Sequence, residues 1–195
     1  MRYIVGLGNP GREYEKTRHN TGRILATLFA EHLKLKDFER DEKLNAQKTE
    51  GKIGREKFAI ILPDTFMNKS GNSLKSLINS RVKAKNLIVI HDDLDLPFGK
   101  IKISFGRNSG GHRGVESIIR AVKTKDFLRL RIGISPLAPS GKLKKPQGEQ
   151  KIEKLILSNF TPEENKKINA LTEKVSQALA TTIIKNYQTA SSQLN

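Results

Sequence analysis

Arg2-Tyr3-Ile4-Val5-Gly6-Leu7-Gly8-Asn9-Pro10-Gly11, followed after a polar bridge by Asn20-Thr21-Gly22-Arg23-Ile24-Leu25, is the stretch on which the fold turns. A short β-branched run halted by glycine reads as a strand, whereas Ile24, Leu25, Leu28, Phe29 and Leu33 recur at helical spacing. Asn20 and Thr21 stand just ahead of that helix with side chains suited to capping its free backbone donors.

The same alternation continues outward. Runs at Lys57 to Leu62, Leu87 to Ile90, Lys100 to Phe105 and Phe127 to Ile134 are bounded by Gly, Pro, Asn or Asp and read as further strands. Helices are expected at about Thr65 to Ser80 and Arg113 to Lys123. Thr161-Pro162-Glu163-Glu164 signals the start of a last helix, with a cap, a proline at the first helical position and a carboxylate for a capping box. Strands alternating with helices predict one α/β domain over residues 1–195, a mixed, largely parallel twisted sheet with helices on both faces. Its active site belongs at the carboxyl ends of the strands. Pro136 to Lys154, with three prolines, two glycines and five lysines, reads as an exposed, mobile loop.

At 195 residues the chain has room for one substantial core. It has no cysteine, which excludes disulfides, thiolate zinc sites and a cysteine nucleophile. The apolar run after Met1 ends at Gly6, too short for a secretory signal, and no run is long enough to span a membrane, so a cytoplasmic protein is expected. The 36 Lys and Arg against 20 Asp and Glu give a formal charge of +16, a field that favours a polyanion such as nucleic acid. Residues 98–131 concentrate it, with a local excess of seven positive charges.

Gly6 to Gly11 matches G-x-G-x-x-G after a strand, the pattern of a dinucleotide loop. The match is formal, because that motif needs a helix to begin at the loop and residues 12–18 are polar, with the helical pattern starting only near Asn20. The loop instead turns the chain sharply and presents Asn9, with Tyr14 and Arg18-His19-Asn20 following. A histidine before a helix is commonly structural. Its candidate partner is Asp92 in His91-Asp92-Asp93-Leu94-Asp95, at the end of a strand on the edge where Asn9 emerges. A carboxylate there would hydrogen-bond one ring nitrogen of His19, fix its tautomer and raise its basicity. The acidic cluster would also suit Mg²⁺, but alternation along a strand sends neighbouring carboxylates different ways, and no metal is expected. No G-x-S-x-G elbow occurs, which points to water as nucleophile. Asn68, near a helix start beside Phe66, can bind a carbonyl and an amide at once, and Asn108 to Gly114 offers backbone amides that could close a site. Taken singly, these are equally a capped helix and an ordinary turn.

Together the strings GLGNPG, EYEKTRHNTG, DTFMNKSG, HDDLDLPFG, SGGHRG, RLRIGIS and NFTPEE resemble, in order and spacing, the bacterial peptidyl-tRNA hydrolase family, over nearly the whole chain to about Glu164. The resemblance implies an enzyme that hydrolyses the ester between peptide and tRNA without a cofactor. It implies His19 as proton acceptor, Asp92 as the residue stabilising its basic form, and Asn9 as the group separating peptidyl from free aminoacyl ends. Tyr14, Phe66 and Asn68 would contact tRNA or peptide, and Lys102 and Arg131 would meet tRNA phosphates. Peptidyl-tRNA is the implied partner and a monomer the expected state. Two departures stand out. Arg113 occupies a position that is usually asparagine, and 136–154 is longer and richer in lysine than usual. A family branch that serves organellar RNA splicing supplies the alternative, a non-enzymatic RNA-binding protein on the same fold, against which the retention of His19 and Asp92 argues.

Overall fold

The computed structural model describes residues 1–194. Seven strands, β1 (Arg2–Gly6), β2 (Glu39–Asp41), β3 (Ala46–Ile53), β4 (Glu56–Pro63), β5 (Leu87–Pro97), β6 (Ile101–Phe105) and β7 (Leu128–Ser135), form one sheet in the order β2-β3-β4-β1-β5-β7-β6. The four central strands β4, β1, β5 and β7 run parallel, and β2, β3 and β6 add antiparallel edges. The helices are α1 (Thr21–His32), α2 (Arg81–Ala84), α3 (Arg113–Val122), α4 (Glu149–Ile156), α5 (Pro162–Ile184) and α6 (Tyr187–Gln193), with 3₁₀ turns at Arg18–Asn20 and Met67–Leu74.

Strand alternation divides the core. Ile4, Ile88 and Ile90 point to one face and pack with Leu25 and Phe29 of α1 and Val175 and Leu179 of α5. Val5, Leu87 and Val89 point to the other, against Val115 and Ile118 of α3 and Met67 and Leu74 of the second 3₁₀ turn. Helices therefore cover both faces, as expected. β1, β4 and the first half of β5 are apolar on both sides, which is why these runs read as nearly continuous apolar stretches, whereas β7 alternates Leu128, Leu130, Ile132 and Ile134 with Arg129 and Arg131.

Several local expectations are corrected. The single helix expected over Thr65 to Ser80 is instead the 3₁₀ turn Met67–Leu74, and the short α2 begins only at Arg81, capped by Ser80. Gly71 lets that 3₁₀ turn pack tightly on α3, since a side chain there would run into the backbone carbonyl of Ser117. β2 and β3 escaped notice because Glu39–Asp41, at the edge, and Ala46–Ile53 beside it are mostly polar strands with few buried residues. β5 continues beyond Ile90 to Pro97, so Asp92 lies within a strand. The end of the 136–154 segment is helical. Ile152, Leu155 and Ile156 of α4 share a half-buried face at spacings of three and four. Asn20 and Thr21 frame the start of α1 as expected, but Asn20 makes no side-chain cap there.

Its glycines bring α1 onto the sheet. A methyl group on Gly22 would overlap the carbonyl oxygen of Ile90 and lie 2.7 Å from the backbone nitrogen of Leu7. One on Gly6 would fall 2.6 Å from the Ala26 Cβ, and one on Gly8 2.7 Å from the Arg23 Cβ. The glycine-rich stretch therefore serves close helix packing, and no helix opens at its end to face a pyrophosphate. Gly22→Ala should cost about 1–3 kcal/mol or more, because the obstruction is backbone and cannot swing away. Urea denaturation checks this; an unchanged midpoint would contradict the close approach.

Candidate active site

Three consecutive residues before α1 reach three different parts of the molecule. Arg18 turns to the segment between α4 and α5, His19 to β5, and Asn20 back to the loop after β1. The Asn20 side chain accepts from the Asn9 backbone N–H (2.8 Å) and donates to the Asn9 carbonyl (2.9 Å), a two-point clamp that replaces the helix cap expected of it. Asn9 in turn accepts the Met67 N–H at its Oδ1 (2.8 Å), which orients its amide; no partner for its Nδ2 is found among the described residues, and Asn9 lines the cleft described below.

Asp92 is only 3% exposed, and its carboxylate meets two imidazoles. His19 Nδ1 lies 2.9 and 3.1 Å from its two oxygens, and His112 Nε2 lies 2.9 Å from Oδ1. The tautomer of His112 follows from its other side. Its Nδ1 accepts the backbone N–H groups of Gly114 (3.1 Å) and Val115 (3.3 Å) as the cap of α3. An accepting Nδ1 leaves Nε2 as the N–H donor to Asp92, and protonating Nδ1 would set a cation against two N–H groups at a helix amino terminus. His19 likewise donates from Nδ1 to the carboxylate, which leaves the Nε2 lone pair free on the cleft side.

Burial alone would raise the Asp92 carboxyl. The electrostatic pull and the hydrogen bonds of the His19 and His112 ring N–H groups outweigh it and hold the group far below the usual aspartate range. His91, whose ring stands edge-on to His112 with centroids 4.8 Å apart, donates from Nδ1 to the Asp92 carbonyl (2.6 Å). Burial, then the neighbouring His112, pushes its pKa well below the usual histidine value, so it stays neutral. The neighbouring carboxylates turn away from the Asp92 site to cations of their own, Asp93 to Arg131 (2.6 Å) and Asp95 to Lys145.

His19, Asp92 and His112 line a cleft of about 530 Å³. One wall carries Asn9, Met67 and Asn68, with Tyr14 and Phe66 in edge contact at 6.4 Å; the other carries Ile152, Ile156 and Leu157 of α4 and the residue after it. Phe66 is 59% exposed and Asn68 is exposed. Arg113 sits at the rim, 65% exposed, in an ion pair with Glu149 of α4. The structure thus brings together His19, Asp92, Asn9, Tyr14, Phe66, Asn68 and Arg113. Lys102 and Arg131 do not line the cleft. They are cross-strand neighbours on β6 and β7, and Arg131 is already engaged by Asp93.

His112 is the residue the sequence reading passed over. The signal was there, since a histidine directly before a helix offers a ring nitrogen as cap acceptor, but its second partner is far away in the chain. His19, Asp92 and His112 could superficially hold a metal ion, their ligand atoms lying within 4.8 Å of one another. The donor set does not fit one: the His112 Nδ1 lone pair is spent on α3, so a metal at Nε2 would require an imidazolate or a lost cap.

Fold and site together define a hydrolase built on a doubly covered α/β sheet. The family model for peptidyl-tRNA hydrolase matches residues 3–195. The chain is 42% identical over 187 residues to a peptidyl-tRNA hydrolase of Thermodesulfovibrio yellowstonii, covering 94% of this chain and 91% of that one. It is 38% identical over 180 residues to that of Aquifex aeolicus, covering 92% and 88%. The crystal structure of peptidyl-tRNA hydrolase from Acinetobacter baumannii superposes with a TM-score of 0.87 at 28% identity, covering 100% of this chain and 94% of that chain. The chain belongs to the peptidyl-tRNA hydrolase family, and its reaction is hydrolysis of the ester bond in peptidyl-tRNA. No helix among the described residues is long and apolar enough to cross a membrane.

Because the folded Asp92 carboxyl titrates below its unfolded value of about 3.9, the unfolded chain binds more protons as the solution is acidified. The stabilisation from ionised Asp92 is therefore complete above roughly pH 5 and is lost as pH falls through the folded value. Asp92→Asn should be less stable than the parent at neutral pH, with the gap narrowing below about pH 4. Urea unfolding along a pH series measures it, and a gap independent of pH would contradict the charge-based account.

Proposed function

We propose that the chain cleaves peptidyl-tRNA with a water molecule activated by His19. The observation that carries this reading is the Nδ1–Asp92 bond, which fixes the His19 tautomer so that the unpaired Nε2 opens on the cleft. In the reaction Nε2 takes a proton from water while the oxygen attacks the ester carbonyl carbon. When the carbon–oxygen bond to the 3′ ribose breaks, the leaving oxygen takes that proton back. Asp92 stabilises the transient imidazolium, and neutral His112 holds Asp92 without adding a positive charge.

Asn9 Nδ2 and the Asn68 amide are the donors suited to orient the carbonyl and stabilise its developing negative charge, and Asn9 is rigid enough to do so without reorganisation. Tyr14 and Phe66 offer aromatic surface to a terminal base or peptide side chain. Arg113 points away from the base toward Glu149, so its charge does not oppose the imidazolium. Exposed ion pairs are weak, about 0–1 kcal/mol, and a phosphate can take the place of Glu149. Lys102 and Arg131 extend this positive surface along the sheet edge, with Arg131 reached only by loosening Asp93. No step calls for a cofactor. We further infer a cytoplasmic monomer.

The reading is tested by incubating the protein with N-blocked and with unblocked aminoacyl-tRNA. Release from the blocked form alone is expected, and cleavage of neither would favour the RNA-binding alternative. His19→Ala should lower turnover by about 10²–10⁴ while leaving tRNA affinity within a few fold; parallel loss of both would make His19 structural.

A separate pair of variants probes the basic surface. Lys102→Ala should weaken all tRNAs alike and reduce the slope of log affinity against log salt by about 0.7–0.9. Arg113→Asn should weaken binding with turnover at saturating substrate held within about threefold, as the outward ion pair requires. A tenfold rise in turnover at unchanged affinity would instead place Arg113 against the base.

A further inference from the structure

The string Ser158-Asn159-Phe160-Thr161-Pro162-Glu163-Glu164 lies apart from the cleft, and no step of the reaction uses it. Its contacts converge on the residue beside the base. Arg18 is buried, and its guanidinium makes a two-point pair with Glu164, Nη1 to Oε1 at 2.9 Å and Nη2 to Oε2 at 2.7 Å. Its Nε donates to Ser158 Oγ (3.1 Å), and its charge lies 5.0 Å over the Phe160 ring. Main chain follows main chain: Arg18 N–H donates to the Ser158 carbonyl (3.0 Å), Phe160 N–H to the Lys16 carbonyl (3.1 Å), and Thr17 bridges Asn159.

Glu164 itself is fixed. It completes the capping box of α5, its Oε2 also accepting the Thr161 N–H (2.9 Å), and Arg18 outweighs its partial burial to keep it ionised below the usual glutamate range. Ser158 Oγ donates to the Leu155 carbonyl (2.7 Å), closing the carboxyl end of α4. On the other side the Arg18 carbonyl accepts the Thr21 hydroxyl (2.6 Å). A fork of this kind is far more than a surface helix cap needs. Desolvating an arginine is justified only by full pairing, and here every nitrogen of the guanidinium is used.

We propose that Arg18 and Glu164 are positioning residues for catalysis: the two-point pair, its arginine buried, locks the 3₁₀ turn Arg18–Asn20 to the capped start of α5, and so sets where His19 meets Asp92. Asn20 anchors the turn from one side and Arg18 from the other, leaving the base between two fixed points. Both residues act through His19 and touch no reacting atom. The proposal rests on His19 being the base.

The test compares Arg18→Lys, which keeps the charge and loses the fork, with Glu164→Gln, which keeps the shape and an oxygen for the Thr161 N–H. For each, single-turnover cleavage of N-blocked aminoacyl-tRNA, affinity for deacylated tRNA, thermal midpoint and the ring N–H resonance of His19 against Asp92 are measured, with His19→Ala alongside. Arg18→Lys should lose about tenfold to a hundredfold in rate, the scale expected for a displaced catalytic group. Affinity should stay within about twofold, the His19 resonance should move or broaden, and Glu164→Gln should fall between it and the parent. Folded variants that keep the parental rate would overturn the proposal. So would a rate loss that only tracks the unfolded fraction while the resonance stays in place. Should Arg18→Lys not fold, Glu164→Gln and Ser158→Ala decide by the same criteria. An active His19→Ala would remove the reading beneath the proposal, whereas an inactive one beside fully active Arg18 and Glu164 variants would sink the positioning role alone.

Discussion

A carboxylate shut inside a sheet must be given donors, and the site is organised around how Asp92 obtains them. Unpaired, a charge so buried would take up a proton. Two imidazole N–H groups keep it ionised, one from the turn before α1 and one from the cap of α3. Each ring is thereby oriented by the charge that it stabilises. His112 is constrained further because its second nitrogen terminates a helix, so it cannot take up a proton without disturbing α3. His19 alone keeps an unused nitrogen. The division of labour between two similar side chains comes entirely from what stands behind each of them.

The close approach of α1 to the sheet is what makes this economy of space possible. Gly6, Gly8 and Gly22 leave no room for side chains where the helix crosses β1 and β5. That contact brings the turn ahead of α1 level with the end of β1 and the middle of β5, and there Asn20 can clasp Asn9 while His19 reaches Asp92. The literal resemblance of residues 6–11 to a dinucleotide loop thus has a steric origin. Glycine is needed in both settings because backbone comes near something, in one case a pyrophosphate and here a helix.

Around this rigid centre the chain arranges a basic exterior. The outer wall of the cleft is lined by α4, with half-buried apolar residues, and is joined to the rim by Arg113 and Glu149 and to β5 by Lys145 and Asp95. Such exposed pairs hold weakly and are screened by salt. The Arg18–Glu164 fork at the start of α5 differs in kind, because Arg18 is buried and every nitrogen of its guanidinium is hydrogen-bonded.

Much of this was legible in the sequence because it is local. Apolar periodicity and the flanking glycines marked the five central or adjoining strands, α1, α3 and the capping box of α5, since burial and backbone geometry leave their trace within a few residues. His19, Asp92, Asn9 and Asn68 stood out as polar groups at strand ends and helix starts. The polar strands β2 and β3, the helix α4 with only one half-buried face, and the 3₁₀ turn around Gly71 carried too weak a pattern to read. What tertiary structure alone decided are the pairings across the chain. That His112 shares the carboxylate with His19, that Asn20 serves Asn9 instead of capping its own helix, and that Arg18 is bound to Glu164 all depend on segments that only the fold brings together, largely out of water. There an unpaired donor or charge is too costly to leave, and the partner is chosen by proximity in the fold rather than by spacing along the chain.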